Sequence, residues 1–103
     1  MSEQFQSAMV TISNPQGLHM RPAYLFVSTA SKYDCKIEVV KDDIRVDGKS
    51  VLDILTLGAT QGTRVQLEAT GEDAQQAISA LEELVVAGFP AAAAADSGDA
   101  SSG

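Results

Sequence analysis

Cys35 is the only cysteine in the chain, so no internal disulfide can form. The single histidine and the lone thiol have no companions at ligand spacing, so no metal site is expected. Cys35 therefore reads as a small buried or half-buried apolar residue rather than a reactive thiol. Basic residues are also scarce: seven Lys and Arg stand against 14 Asp and Glu, for a formal net charge of -7. This argues against nucleic acid as a partner, because phosphate backbones reward clustered Lys and Arg. The acidic excess favours solubility without naming a partner. No apolar run approaches the roughly 20 residues of a membrane-crossing helix. Met1-Ser2-Glu3-Gln4-Phe5-Gln6 has neither the basic nor the apolar region of a signal peptide. A cytoplasmic location without membrane insertion is expected. No repeat of solenoid length occurs, and 103 residues suit one modest core.

The periodicity of what remains alternates between two and three-to-four. Ala8, Val10 and Ile12 alternate with Met9, Thr11 and Ser13, the pattern of a half-buried strand. Asn14-Pro15-Gln16-Gly17 is turn chemistry. Pro22 suits the first turn of a helix, whose apolar face is Ala23, Phe26, Val27 and Ala30. Lys36 to Lys41 and Ile44 to Asp47 flank Asp42-Asp43 as a compact hairpin, although the pair lacks the glycine that tight primed turns prefer. Gly48-Lys49-Ser50 leads into a short helix with Val51, Leu52, Ile54 and Leu55. Arg64 to Thr70 turns Val65, Leu67 and Ala69 inward as a further strand. A last helix carries Ala74, Ala77, Ile78, Leu81 and Leu84, with Glu72 and Asp73 at its positive end. The order βα ββα βα predicts an α+β open-faced sandwich, a four-stranded antiparallel sheet with three helices on one face and water on the other. The domain is expected over 1–89. An Ala/Ser/Asp/Gly-rich tail over 90–103 has too little to bury and is expected to be disordered.

Gly17-Leu18-His19-Met20-Arg21-Pro22-Ala23 is the segment that carries chemistry. His19 lies where a turn meets a helix start, a place where a lone histidine is more often a cap or a plain surface residue. Three features raise its standing. A helix N-terminus offers free N–H groups and a positive dipole end. Arg21, two residues on, is a permanent cation whose fork can hold phosphate oxygens. Gly17 permits close backbone approach. A neutral imidazole nitrogen there could attack phosphorus with the resulting charge stabilised.

These residues resemble the signature of the histidine-containing phosphocarrier protein (HPr) family of the bacterial phosphoenolpyruvate-dependent phosphotransferase system, Gly-Leu-His-x-Arg-Pro-Ala, with Met20 at the variable position. A second block, Lys49-Ser50-Val51-Leu52-Asp53-Ile54-Leu55-Thr56-Leu57-Gly58-Ala59 with Thr60-Gln61-Gly62-Thr63, is similar to the family's regulatory-serine segment. Gly71-Glu72-Asp73-Ala74-Gln75-Gln76-Ala77 resembles the opening of its last helix, so the likeness runs from about Phe5 to Val86. The resemblance implies that His19 is phosphorylated on Nδ1 by Enzyme I, that phosphoenolpyruvate is the ultimate donor, and that a sugar-specific enzyme II (IIA) component receives the group. It implies that Arg21 stabilises the phosphate and that HPr kinase/phosphorylase, where present, phosphorylates Ser50. The carrier would take part in its partners' transferase reactions without being an enzyme, as a monomer and with no cofactor.

From the residues alone, Ser50 and Asp53 read as an N-cap and its reciprocal acid. The docking surface is expected from Met20, Lys49, Val51 and Leu52, with Leu52 and Met20 outward, Val51 shared and Leu55 inward. The exposed side of the first helix, read as Ser28, Thr29, Ser31 and Lys32, is less basic than in many relatives, and Asp53 adds negative charge nearby. Two other readings compete with sugar uptake. One is a regulatory phosphocarrier, in a nitrogen-related branch or controlled at Ser50, without a transport client. The other is a ligand-binding α+β domain in which His19 is incidental.

Overall fold

A computed structural model of the chain describes residues 4–90. The elements are β1 (Phe5–Thr11), α1 (Met20–Ala30), β2 (Lys36–Lys41), β3 (Ile44–Asp47), α2 (Val51–Thr56), β4 (Arg64–Thr70) and α3 (Ala74–Val86). The strands form one sheet in the order β1-β4-β2-β3, every neighbouring pair antiparallel. β4, late in sequence, thus enters between β1 and β2 and pairs with β1 from Phe5↔Thr70 to Thr11↔Arg64. The expected α+β open-faced sandwich is what forms.

Alternation decides which face is dry. Val10, Ile37, Val39, Val46, Val65, Leu67 and Ala69 are buried on one side, as period two requires. Against them lie Phe26 from α1, Ile54 from α2, and Ala77, Ile78, Leu81 and Leu84 from α3. α1 also buries Leu25, which the expected apolar face omitted; the helix packs against both α2 and α3, so a wider stripe goes inside. Ser28 and Thr29 are half-buried, which corrects their expected exposure; Ser31 and Lys32 are exposed as expected, and so is Tyr24. The open face of the sheet is mostly polar, with Phe5 and Met9 of β1 exposed on it. Arg45 on β3 donates to Glu38 on β2 and reaches across it to Glu68 on β4. These hydrogen bonds, the one to Glu68 foremost, hold the Arg45 pKa above its ordinary value.

Two turns and one helix start take a form that the sequence left open. In the hairpin, Asp42 bears φ 54, a left-handed conformation that Asp tolerates better than most residues. Asp73 is the N-cap of α3 but makes no side-chain cap, and no acid stands in that helix's first turn. Its carboxylate instead accepts the Asp34 N–H at 2.8 Å, tying the α1–β2 loop to the β4–α3 junction. At the other end of α3, Phe89 N–H donates to the Leu84 carbonyl and Gly88 N–H to that of Val85. That paired closure turns the chain sharply and buries Phe89. The tail segment 91–103 lies outside the described residues.

Candidate functional site

The loop before α1 is closed from within and pinned from without. Gly17 N–H donates to the Asn14 carbonyl at 3.1 Å, and Asn14 Nδ2 donates to the Gly17 carbonyl at 2.7 Å. Leu18 is buried, and its N–H donates to the Ala59 carbonyl at 2.9 Å. Gly17, at φ +70, lies so close to the Ala59-Thr60 backbone that a Cβ would stand 2.8 Å from Thr60 Cα. The close approach expected of this glycine is therefore to the α2–β4 loop, not to an anion. Fixing Leu18 in this way fixes the residue that follows it.

His19 is the N-cap of α1, with φ -88 and ψ -164. Its carbonyl accepts the Ala23 N–H at 2.9 Å, while its ring makes no cap bond and is exposed. The amides of Met20 and Arg21 have no backbone acceptor among the described residues, and Pro22 has no N–H. Pro22, third in the helix, therefore costs α1 no hydrogen bond. Arg21 is exposed and forms no ion pair among the described residues.

His19 and Arg21 line one cleft of about 340 Å³ with Asn14, Pro15, Gln16, Pro22, Gly88 and Phe89. No acid is in that lining, despite the chain's net charge of -7. Asn14 Oδ1 is a buried oxygen without a partner among the described residues. The cleft thus offers one exposed imidazole ring and one guanidinium, beside a helix start whose first two amides are open, a set suited to receiving an anion. Among the described residues no group of side chains could hold a metal ion.

Ser50 lies outside that cleft, as the N-cap of α2. Its Oγ accepts the Asp53 N–H at 3.2 Å, the expected half of a capping box. The reciprocal half is absent: Asp53 Oδ2 accepts from Asp47 N–H at 3.2 Å, because Ser50 N–H already donates to the Asp47 carbonyl. Lys49 is half-buried, and its Nζ donates to the Tyr33 carbonyl at 2.8 Å, so its charge is spent on a loop rather than offered outward. Met20 is 60% and Leu52 74% exposed, while Val51 and Leu55 are half-buried against the core. A larger groove, about 570 Å³, brings Lys36 and Lys49 together with Asp34, Glu72 and Cys35. Its charges offset one another, and burial pushes the Cys35 thiol pKa up, away from the reactive thiolate.

Sequence reasoning missed three features of this region. Phe89 and Gly88 wall the cleft from the far end of the domain, and nothing in the local pattern around His19 points to them. Asn14 was legible as a turn residue but not as a lining group. Tyr24, 56% exposed on α1, interrupts no periodicity and so carried no signal.

The fold and the site define a class, a small α+β domain that presents one exposed histidine at a helix start beside a cation. The family model described as "PTS HPr component phosphorylation site" matches residues 6–87. Phosphocarrier protein HPr of Treponema pallidum is 41% identical over 75 residues, 73% of this chain and 85% of the relative. Among solved structures, HPr-C-His from Thermoanaerobacter tengcongensis superposes with a TM-score of 0.80 at 45% identity, covering 82% of this chain and 94% of that one. Crh, the Bacillus subtilis catabolite repression HPr, superposes with a TM-score of 0.60 at 35% identity, covering 78% of this chain and 95% of that one. The chain belongs to the HPr family of phosphotransferase-system phosphocarriers.

Proposed function

We propose that this protein takes a phosphoryl group onto His19 Nδ1 from Enzyme I and passes it to the IIA component of a sugar-uptake system. The observation that carries this reading is the exposed His19 ring, unengaged as a cap, sharing an acid-free cleft with Arg21. In the forward step the Nδ1 lone pair of the neutral ring attacks phosphorus on the phosphorylated donor. The bond from phosphorus to the donor breaks as the new P–N bond forms, and the ring proton stays on Nε2. Charge on the phosphoryl oxygens falls to the Arg21 fork and to the amides of Met20 and Arg21. Such transfer depends mainly on positioning and charge neutralisation, which a small domain can supply without being an enzyme itself. The acceptor step reverses the geometry. Met20 and Leu52, with the edge of Val51, form the apolar part of the docking surface, and Lys49 has a lesser role because its ammonium is engaged. The carrier works in the cytoplasm as a monomer, its domain spanning 1–89.

The test is incubation with Enzyme I and labelled phosphoenolpyruvate. Acid-labile, base-stable label is expected on the wild type and none on His19→Ala. Arg21→Ala is expected to slow labelling strongly while keeping the wild-type melting temperature, since exposed arginines rarely support a fold. Label surviving in His19→Ala, or unfolding of Arg21→Ala, overturns the assignment. A second reading, a carrier whose Ser50 is phosphorylated by HPr kinase/phosphorylase to control regulators rather than transport, draws support from the Ser50 N-cap and the likeness to Crh. Phosphate placed there adds negative charge beside Leu52. Acid-stable label on Ser50, with no transfer to any IIA component, would favour it.

A further inference from the structure

Asn14, Pro15 and Gln16 form one wall of the His19 cleft, and the turn they belong to hangs between two anchors. At its start the β1–β4 pairing runs on past Thr11↔Arg64. Ile12 N–H donates to the Thr63 carbonyl at 2.9 Å, and Gly62 N–H to the Ile12 carbonyl at 2.7 Å. At its end stands the bond from Leu18 N–H to the Ala59 carbonyl. Between these anchors Asn14 and Gly17 close the turn on itself.

A side chain adds one more rung. Gln61 Nε2 donates to the Ser13 carbonyl at 3.0 Å, the one side-chain hydrogen bond between the two loops among the described residues. Gln61 stands in a tight turn of its own. Thr63 N–H closes that turn on the Thr60 carbonyl at 3.0 Å, and Thr60 N–H donates to Thr63 Oγ1 at 3.2 Å. A peptide unit is planar, so holding the Ser13 carbonyl also fixes the nitrogen and Cα of Asn14. Asn14 begins the wall, and its Nδ2 in turn holds the Gly17 carbonyl at 2.7 Å. Neither Ser13 nor the exposed Gln61 lines the cleft. The amide braces the wall from behind.

We propose that Gln61 is a positioning residue for phosphoryl transfer: its bond to the Ser13 carbonyl sets the Asn14–Gln16 wall against His19 and Arg21. It thereby sets the rate of transfer within the docked complex. Such transfer depends on placing the phosphoryl group in line with the attacking nitrogen, where small displacements are costly. Docking is separate, since it falls to Met20, Val51 and Leu52. The positioning role rests on the phosphocarrier function proposed above, while the brace itself does not.

Gln61→Met keeps the length of the side chain and removes its donor. Gln61→Glu keeps the length too, but its carboxylate can only accept. The brace is read by amide hydrogen exchange in the full chain. In both variants Gly17 N–H is expected to exchange about 2- to 12-fold faster, the equivalent of one ordinary hydrogen bond, with the Leu67 amide of β4 unchanged. Wild-type exchange at Gly17 overturns the brace. Equal acceleration at Leu67 also overturns it, because the loss is then one of general stability. The consequence is read as transfer from phosphorylated Enzyme I with the carrier concentration varied. kcat is expected to fall about 2- to 12-fold while KM for the carrier stays within about twofold. A raised KM at unchanged kcat makes Gln61 a docking contact and overturns the positioning role, as does wild-type kcat in either variant. If neither wild type nor variants take label, the function proposed for His19 fails instead, and the exchange result alone decides the brace.

Discussion

Replacing Gly17 with alanine separates two effects that a glycine can hide, and Gly58→Ala is its internal control. Both residues have left-handed backbones, at φ +70 and φ +60. A left-handed alanine costs about 1–2 kcal/mol at either place. The surroundings differ. A Cβ at Gly58 meets nothing within 4 Å, whereas at Gly17 it would stand 2.8 Å from Thr60 Cα and fall on the Ala59 carbonyl oxygen. Both neighbours are backbone, so relief requires shifting the α2–β4 loop or the turn itself. That shift also strains the Leu18 N–H to Ala59 bond. Overpacking of this kind adds about 1–3 kcal/mol. Gly17→Ala should thus lose about 2–5 kcal/mol in total, and Gly58→Ala only the first 1–2. Thermal unfolding followed by circular dichroism reads the difference, with roughly 4–8 °C of melting temperature for each kcal/mol in a domain of this size. Equal losses in the two variants would refute the claim that Gly17 is there to seat the loop that carries His19.

Three further outcomes are expected. Ser50→Ala removes the acceptor for Asp53 N–H and should lower stability by about 1 kcal/mol in urea unfolding; no loss would mean that the cap contributes nothing. Leu52→Ser, at a position 74% exposed, should leave stability within about 0.5 kcal/mol while reducing the rate of labelling by Enzyme I; an unchanged rate removes Leu52 from the docking surface. Because burial raises the Cys35 pKa, the folded chain holds that proton more tightly than the unfolded one. The associated stability is full below the ordinary thiol value of 9.0 and is lost as pH rises through the raised folded value. The stability difference between wild type and Cys35→Ser, measured from pH 8 to 10.5, should therefore shift against the wild type as pH rises, and a flat difference would contradict the burial effect.

The elements of the fold were legible because period is a local property. Val65, Leu67 and Ala69 declare an inward strand face within seven residues, and Ala74, Ala77, Ile78, Leu81 and Leu84 declare a helix within thirteen. His19 and Arg21 were legible for the same reason, since two residues at a helix start share its end wherever the helix packs. The side chains of Asp53, Asp73 and Lys49 were not. Their partners, Asp47, Asp34 and Tyr33, lie on other elements and loops and were fixed by how these pack, not by local pattern.

What the sequence determined by itself was therefore the alternation of strand and helix, the sidedness of each, and the placing of an imidazole ring and a cation together at the start of α1. Insertion of β4 between β1 and β2, the seating of Gly17 on Ala59-Thr60, and the closure of the His19 cleft by Phe89 were decided only in the tertiary structure. Phe89 lies 70 residues from His19, and short-range pattern carries no information about which distant backbone will fill a gap; that is settled by how the whole core packs.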